Sequence, residues 1–185
     1  MARRHKLALL AVTGIAVMLS TLVFGTGAQA AARPDGPGIE YVDGPPYYII
    51  NKYSNKCLQP QHFDANALIN QRTCGPWGTM PWNLQYVGNG YYWIVNDYTQ
   101  MCMDLQANSE AEVTYGTLVQ QFPCSTIYPT EQWRLVVNVP TGYYQLVNRV
   151  KGLCADIQFR SPNNGALLQV IECKTNEPAQ LFRFA

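Results

Sequence analysis

The chain has 185 residues, 48% of them apolar, 14% charged and 12% aromatic, with six Cys, twelve Tyr and a formal net charge of +1. The apolar content excludes a disordered chain, and the low charge excludes a coiled coil. A balance this close to zero excludes a nucleic-acid binder driven by bulk positive charge.

Arg3, Arg4 and Lys6 open the chain, Leu7 to Phe24 is a run of 18 residues without a charge, and Gly25 to Ala30 is small, ending Ala28-Gln29-Ala30. This pattern predicts a secretory signal peptide, residues 1–30, cleaved after Ala30. The length of the run leaves an uncleaved anchor open as the alternative. Removing the segment leaves ten basic residues against twelve acidic ones, a balance that implies neither nucleic acid nor, after cleavage, membrane as partner. All six Cys lie in the remaining 155 residues, a length that suits one domain. In an oxidising compartment they are expected to be disulfide-bonded.

Residues 31–46 carry Pro34, Gly36, Pro37, Gly38, Gly44, Pro45 and Pro46 among few large apolar side chains, and read as a flexible lead-in. A repeat then begins. Tyr47-Tyr48-Ile49-Ile50-Asn51, Tyr92-Trp93-Ile94-Val95-Asn96 and Tyr144-Gln145-Leu146-Val147-Asn148 are three copies of one phrase, each with a Cys six residues after its Asn: Cys57, Cys102 and Cys154. A second Cys closes each unit, at 74, 124 and 173, with 16, 21 and 18 residues between partners; Trp82, Trp133 and Phe182 follow eight or nine residues later. The units span about 47–88, 90–138 and 142–185, and 47–185 forms the domain proper.

The phrases are β-branched and aromatic, as are Thr117 to Phe122, Ala166 to Ile171 and Trp133 to Val137, and turn-forming stretches such as Ser161 to Gly165 separate them. No stretch after residue 46 holds a helical apolar period, so the domain is expected to be all-β. Units this short do not bury their own apolar faces; three must share a core about a pseudo-threefold axis. Tyr92, Tyr144, Ile94, Leu146, Trp82, Trp133 and Phe182 are its candidates. Six Cys permit fifteen connectivities, and repetition selects one bridge per unit: Cys57–Cys74, Cys102–Cys124 and Cys154–Cys173.

The Asn-to-Cys spacing, Cys102-Met103-Asp104-Leu105, Cys154-Ala155-Asp156-Ile157, Gly165-Ala166-Leu167-Leu168-Gln169 and the Gln-x-Trp-like endings resemble the ricin-type β-trefoil lectins, a family of carbohydrate-binding modules. The resemblance covers Tyr47 to Ala185 and implies a twelve-stranded β-trefoil with three potential sugar sites. It also implies site roles. An Asp two residues after the first Cys accepts from paired hydroxyls, and a Gln four before the second Cys lines the site. An aromatic two before that Cys packs on sugar C–H groups, and an Asn-Gln pair before the last aromatic adds polar contacts.

No unit carries the full set. The first has Gln59, Asn70, Arg72 and Thr79-Met80 at these places and is expected to be inactive. The second keeps Asp104, Gln120 and Phe122 but has Thr130-Glu131. The third keeps Asp156, Gln169 and Gln180, with Ile171 for the aromatic and Ala179 for the Asn. Tyr53, Tyr98, Tyr115 and Tyr128 fall in predicted loops and offer another aromatic surface. After cleavage one His remains, His62, with no nucleophile motif beside it and no Cys to spare, so no metal, cofactor or catalysis is expected. The expectation is a secreted, extracellular, non-catalytic binder of glycans or polysaccharide, of galactose or xylan type, through weak sites in the second and third units. The alternative is a protein-interaction trefoil, an inhibitor or toxin-associated subunit, that has lost sugar binding.

Overall fold

The computed structural model describes Gly44 and residues 46–138 and 140–185; the expected signal segment and most of the lead-in lie outside the described residues. Twelve strands fall into three groups of four. The first group is β1 (Tyr47–Asn51), β2 (Cys57–Pro60), β3 (Ile69–Arg72) and β4 (Pro81–Gly88). The second is β5 (Tyr91–Asn96), β6 (Cys102–Leu105), β7 (Thr117–Phe122) and β8 (Trp133–Asn138). The third is β9 (Tyr143–Asn148), β10 (Cys154–Ile157), β11 (Leu168–Ile171) and β12 (Phe182–Phe184). The helical pieces among the described residues are single 3-10 turns, including Pro129–Glu131 and Pro178–Gln180.

The outer strands of each group close a ring in the order β1-β4-β5-β8-β9-β12, and β12 returns to β1 through Ile49↔Phe184, Ile50↔Arg183 and Asn51↔Phe182. Closure removes the open edges that a twelve-stranded sheet would otherwise expose. The inner strands form three hairpins, β2–β3, β6–β7 and β10–β11. These meet in a triangle: β7 pairs with β11, and the bridges Leu68↔Gln120 and Asn70↔Leu167 join the first hairpin to the other two. The fold is a β-trefoil.

Trp82, Trp133, Phe182, Ile94 and Leu146 are fully buried in one core with Ile49, Leu58, Met103, Leu105, Ile157 and Leu168. Both of these indoles also donate inward, Trp82 Nε1 to Leu58 O at 3.0 Å and Trp133 Nε1 to Met103 O at 2.8 Å, so these two core rings keep their N–H groups paired. Tyr92 and Tyr144 depart from the core expectation. Both are only half-buried, and they pack edge to face on Tyr86 and Phe184 with ring centroids 5.4 and 5.6 Å apart. A phenol carries a hydroxyl that favours a wet end, and the branched aliphatics of the same phrases fill the dry interior instead. The three disulfides join Cys57 to Cys74, Cys102 to Cys124 and Cys154 to Cys173, one in each group of four strands.

The Asn that ends each phrase links neighbouring groups. Asn96 Nδ2 donates to Thr79 O at 2.8 Å, Asn148 Nδ2 to Thr130 O at 2.7 Å and Asn51 Nδ2 to Ala179 O at 3.0 Å, so each group holds the one before it and the first holds the third. The Oδ1 atoms accept from the backbone N–H groups of Tyr53, Tyr98 and Val150, which shapes the turn that follows. A second ring of contacts is varied. Gln71 and Gln121 reach carbonyls of the 161–163 and 62–64 loops, each steadied by a hydroxyl, from Ser54 or Thr99. In the third group Val170 stands in place of that Gln, and Lys151, in place of the hydroxyl residue, donates through Nζ to Ala111 O and Val113 O.

Candidate functional site

Each inner hairpin sets one pair of side chains opposite each other in the same register: Gln59↔Asn70, Asp104↔Gln120 and Asp156↔Gln169. The strand period explains the spacing. Residues two apart share a face, so the residue two after the first Cys and the residue four before the second lie on the face that carries the half-cystines.

In the second repeat Gln120 Nε2 donates to Asp104 Oδ2 at 2.9 Å. Asp104 Oδ1 and Gln120 Oε1 are buried acceptors without a protein partner. Both side chains form the floor of a cleft of about 650 Å³. One wall is Phe122, half-buried and edge-on to Tyr128 with centroids 6.4 Å apart, continued by Ile127, Pro129 and Thr130. The facing wall is residues 106–110 of the β6–β7 connection, with Asn66 from the first repeat. Burial pushes the Asp104 carboxyl above its ordinary range, with the Gln120 amide and the Thr130 hydroxyl pulling the other way. Beneath it lies Glu131, whose side chain has no exposed surface; its Oε2 accepts from Ser125 N at 2.7 Å and its Oε1 has no partner. Burial and, to a lesser extent, the charge of Asp104 together push Glu131 up to about 7 against that hydrogen bond.

The third repeat brings Asp156, Gln169 and Gln180 together with a different division of labour. Gln169 is half-buried and donates through Nε2 to Asp156 Oδ1 at 3.1 Å. Gln180 is fully buried and bonds backbone on both sides, accepting from Lys174 N at 2.8 Å and donating to Glu172 O at 3.0 Å. It is therefore a support under Asp156 and presents no exposed surface of its own. Burial raises Asp156 as well, the Gln169 and Gln180 amides lower it, and Glu177 raises it more. Ile171 offers no ring where Phe122 stands in the second repeat. In the first repeat Gln59 and Asn70 are buried without a carboxylate, Thr79 Oγ1 lies 3.4 Å from Gln59 Oε1, and Met80 is fully buried where Gln180 sits in the third.

Of the four loop tyrosines, Tyr128 alone lines this cleft; Tyr98 stacks at a tilt on Phe63 at 5.1 Å, and Tyr53 lies under the Arg160 guanidinium. The roles of Tyr128 and of the 106–110 wall were not visible in the motif. The available signal was length: the second repeat has 21 residues between its Cys, against 16 and 18. His62 is exposed, 3.6 Å from Asp64, and no group of three or more His, Cys, Asp or Glu among the described residues is arranged to hold a metal ion.

Residues 45–182 match the family model of the ricin-type beta-trefoil lectin domain. The chain belongs to the ricin-type β-trefoil lectin family. Among solved structures it resembles ThreeFoil, a designed threefold-symmetric protein, at 26% identity and a TM-score of 0.69 over 75% of this chain and 96% of that one. It resembles the exo-β-1,3-galactanase 1,3Gal43A of Clostridium thermocellum at 26% identity and a TM-score of 0.70, over 77% of this chain and 30% of the galactanase. The C-half of the earthworm R-type lectin, solved with GalNAc, shares the fold at 16% identity and a TM-score of 0.57, over 76% of this chain and 98% of the lectin. No curated protein matches the chain. Membership of a ricin-type lectin family supports carbohydrate binding in general, and in this member the polar pairs sit where a strand-to-strand register, not a loop conformation, holds them.

Proposed function

We propose that the protein is a secreted, non-catalytic lectin that binds glycans chiefly through the second repeat, with the third repeat as a weaker second site. The observation that carries the reading is the cleft floor. Asp104 and Gln120 are held together by their own hydrogen bond and leave one acceptor each without a protein partner, beneath an aromatic wall of Phe122 and Tyr128. Sugar hydroxyls are donors that such acceptors satisfy, and the pyranose C–H face packs on a ring. The third repeat repeats the carboxylate–amide pair without the ring, which accounts for the lower rank. The first repeat has no carboxylate, and we assign it no sugar.

Binding is favoured over glycoside hydrolysis by one geometric fact. Asp104 and Glu131 are a neighbouring carboxyl pair, but Glu131 has no exposed surface and so has no route to a glycosidic oxygen. Secretion is supported by the amino-terminal pattern and by three disulfides, which persist in oxidising compartments. A galactose-type ligand is the first probe, because a galactanase shares the domain at 26% identity.

Titration with galactose, β-1,3-galacto-oligosaccharides and xylo-oligosaccharides is expected to give saturable binding of about millimolar Kd, near −4 kcal/mol per site. D104A should remove most of it, and D104A combined with D156A all of it. Undiminished binding by the double variant removes both sites from the reading. One observation favours a protein partner instead: Phe63 and Tyr98 stack while 58% and 61% exposed, and Tyr98 lies against Gly78, next to Trp77, itself 59% exposed. A partner captured equally by the wild type and the D104A/D156A variant, but lost on Phe63→Ser plus Tyr98→Ser, would select that reading.

A further inference from the structure

The second and third repeats carry different residues at one buried place. Gln180 in the Pro178–Gln180 turn and Glu131 in the Pro129–Glu131 turn are both fully buried, and both accept a hydrogen bond from the N–H of the residue after the repeat's second Cys, Lys174 or Ser125. The remaining atom of Gln180 is an amide nitrogen, and it donates to Glu172 O, the carbonyl before Cys173. The corresponding atom of Glu131 is an oxygen, buried without a partner, and the carbonyl before Cys124 belongs to Pro123. A carboxylate oxygen has nothing to donate to a carbonyl; a carboxylic acid O–H does.

The surroundings favour the acid. β6 packs on the Pro129–Glu131 turn and carries the Asp104 carboxyl, whose charge bears on Glu131; Gln120 of β7 holds Asp104 through a neutral amide, and the turn after Cys124 contributes the Ser125 N–H to Glu131. The nearby guanidinium of Arg149 is bonded to Gln132 Oε1 at 2.6 Å, and neither carboxyl is in an ion pair among the described residues. Two carboxyls in one dry place do not readily ionise together, and they titrate as a pair.

We propose that Glu131 is a proton-dependent positioning residue of the second repeat's cleft: as the neutral acid it does what the Gln180 amide does in the third repeat, and on ionising it displaces the Asp104–Gln120 pair from its binding arrangement. The same displacement lowers affinity for sugar as pH rises, a consequence that rests on the carbohydrate reading for its ligand. Burial and the neighbouring charge place the midpoint at about 7, within the range where a modest change of pH alters the population.

The test uses the full chain, wild type and Glu131→Gln, with the side-chain carboxyl carbons and the Gln120 side-chain amide followed by NMR against pH. One Glu carboxyl and the Gln120 amide should shift together with a common midpoint near neutrality, and Glu131→Gln should abolish that joint titration while the rest of the spectrum stays folded. With Asp156→Ala present to leave the second cleft alone, galactose affinity should fall about tenfold between roughly pH 6 and pH 8.5. Adding Glu131→Gln should bring the ratio of affinities at the two pH values to about one. A Glu131 carboxyl that titrates near the ordinary 4.5, or a Gln120 amide that ignores it, overturns the proposal, as does an equal pH dependence of binding in Glu131→Gln. If the wild type bound neither galactose nor xylo-oligosaccharide at any pH while Glu131 and Gln120 still titrated together, the sugar reading would fall and the positioning role would stand.

Discussion

At residue 131 a carboxyl replaces the amide found at residue 180, and the exchange changes how folding depends on pH. Because burial holds the Glu131 carboxyl up to about 7 in the folded chain, the folded state binds the proton more tightly than the unfolded chain, whose midpoint is near 4.5. The sign follows from linkage: the unfolded chain holds fewer protons between these values, so stability falls as pH rises through that window. Asp104 and Asp156 are raised by burial too and act in the same direction. Glu131→Gln should flatten the change between about pH 4.5 and pH 7, by at most about 3 kcal/mol, in urea unfolding at several pH values. An unchanged slope would mean that Glu131 reaches water in the folded chain. Asn148 is the other residue whose loss should be measurable. Its amide holds Thr130 O at 2.7 Å and its carbonyl accepts from Val150 N, so Asn148→Ala leaves buried backbone groups unpaired. A loss of about 2 kcal/mol is expected in denaturant unfolding, together with weaker sugar binding at the second cleft that Thr130 lines.

At the scale of elements, the hairpin is the unit that makes a site. In β6–β7 the register fixes Asp104 opposite Gln120 and Cys102 opposite Phe122, and the Cys102–Cys124 bridge pins the open end of the same hairpin. A one-residue slip would turn both polar groups to the other face. Removing the bridge by Cys102→Ala plus Cys124→Ala should cost about 3 kcal/mol for a loop of this length, and should reduce sugar binding at the second cleft before that at the third. Equal losses at both sites under native conditions would show that the bridge acts on the whole barrel. The connection of the same hairpin, residues 106–110, forms one wall of the cleft, so the longer inter-Cys interval of the second repeat is where its depth comes from.

At the scale of the molecule, no repeat closes without the other two. Each outer strand pairs across a repeat boundary, and β12 must return to β1. A chain ending at Asn138 lacks β9 and β12 and leaves β8 and β1 with open edges and half of a shared core. It is expected to give the circular dichroism and narrow NMR dispersion of an unfolded chain, whereas independent repeats would leave two-thirds of the native signal.

The division between sequence and tertiary structure follows from what each repeat can do alone. Strand character, the three Cys pairs and the buried Trp82, Trp133 and Phe182 were legible in the chain, because a phrase used three times shows which positions every copy needs; the candidate residues from Asp104 to Gln180 came from the family resemblance, since the copies differ there. Tyr92 and Tyr144 misled, since periodicity marks a face and does not say which end of a barrel that face meets. Three features appeared only in the tertiary structure: the Asn-to-carbonyl links between repeats, the contribution of Tyr128 and residues 106–110 to the cleft, and the burial of Glu131 in the turn packed on the strand of Asp104. Their common cause is packing between separate strands and turns, which no one segment of the chain displays. Composition and spacing specify what a residue offers, whereas solvation and neighbouring charge belong to the assembled trefoil, and those decide whether a carboxyl carries a charge, a proton or a sugar hydroxyl.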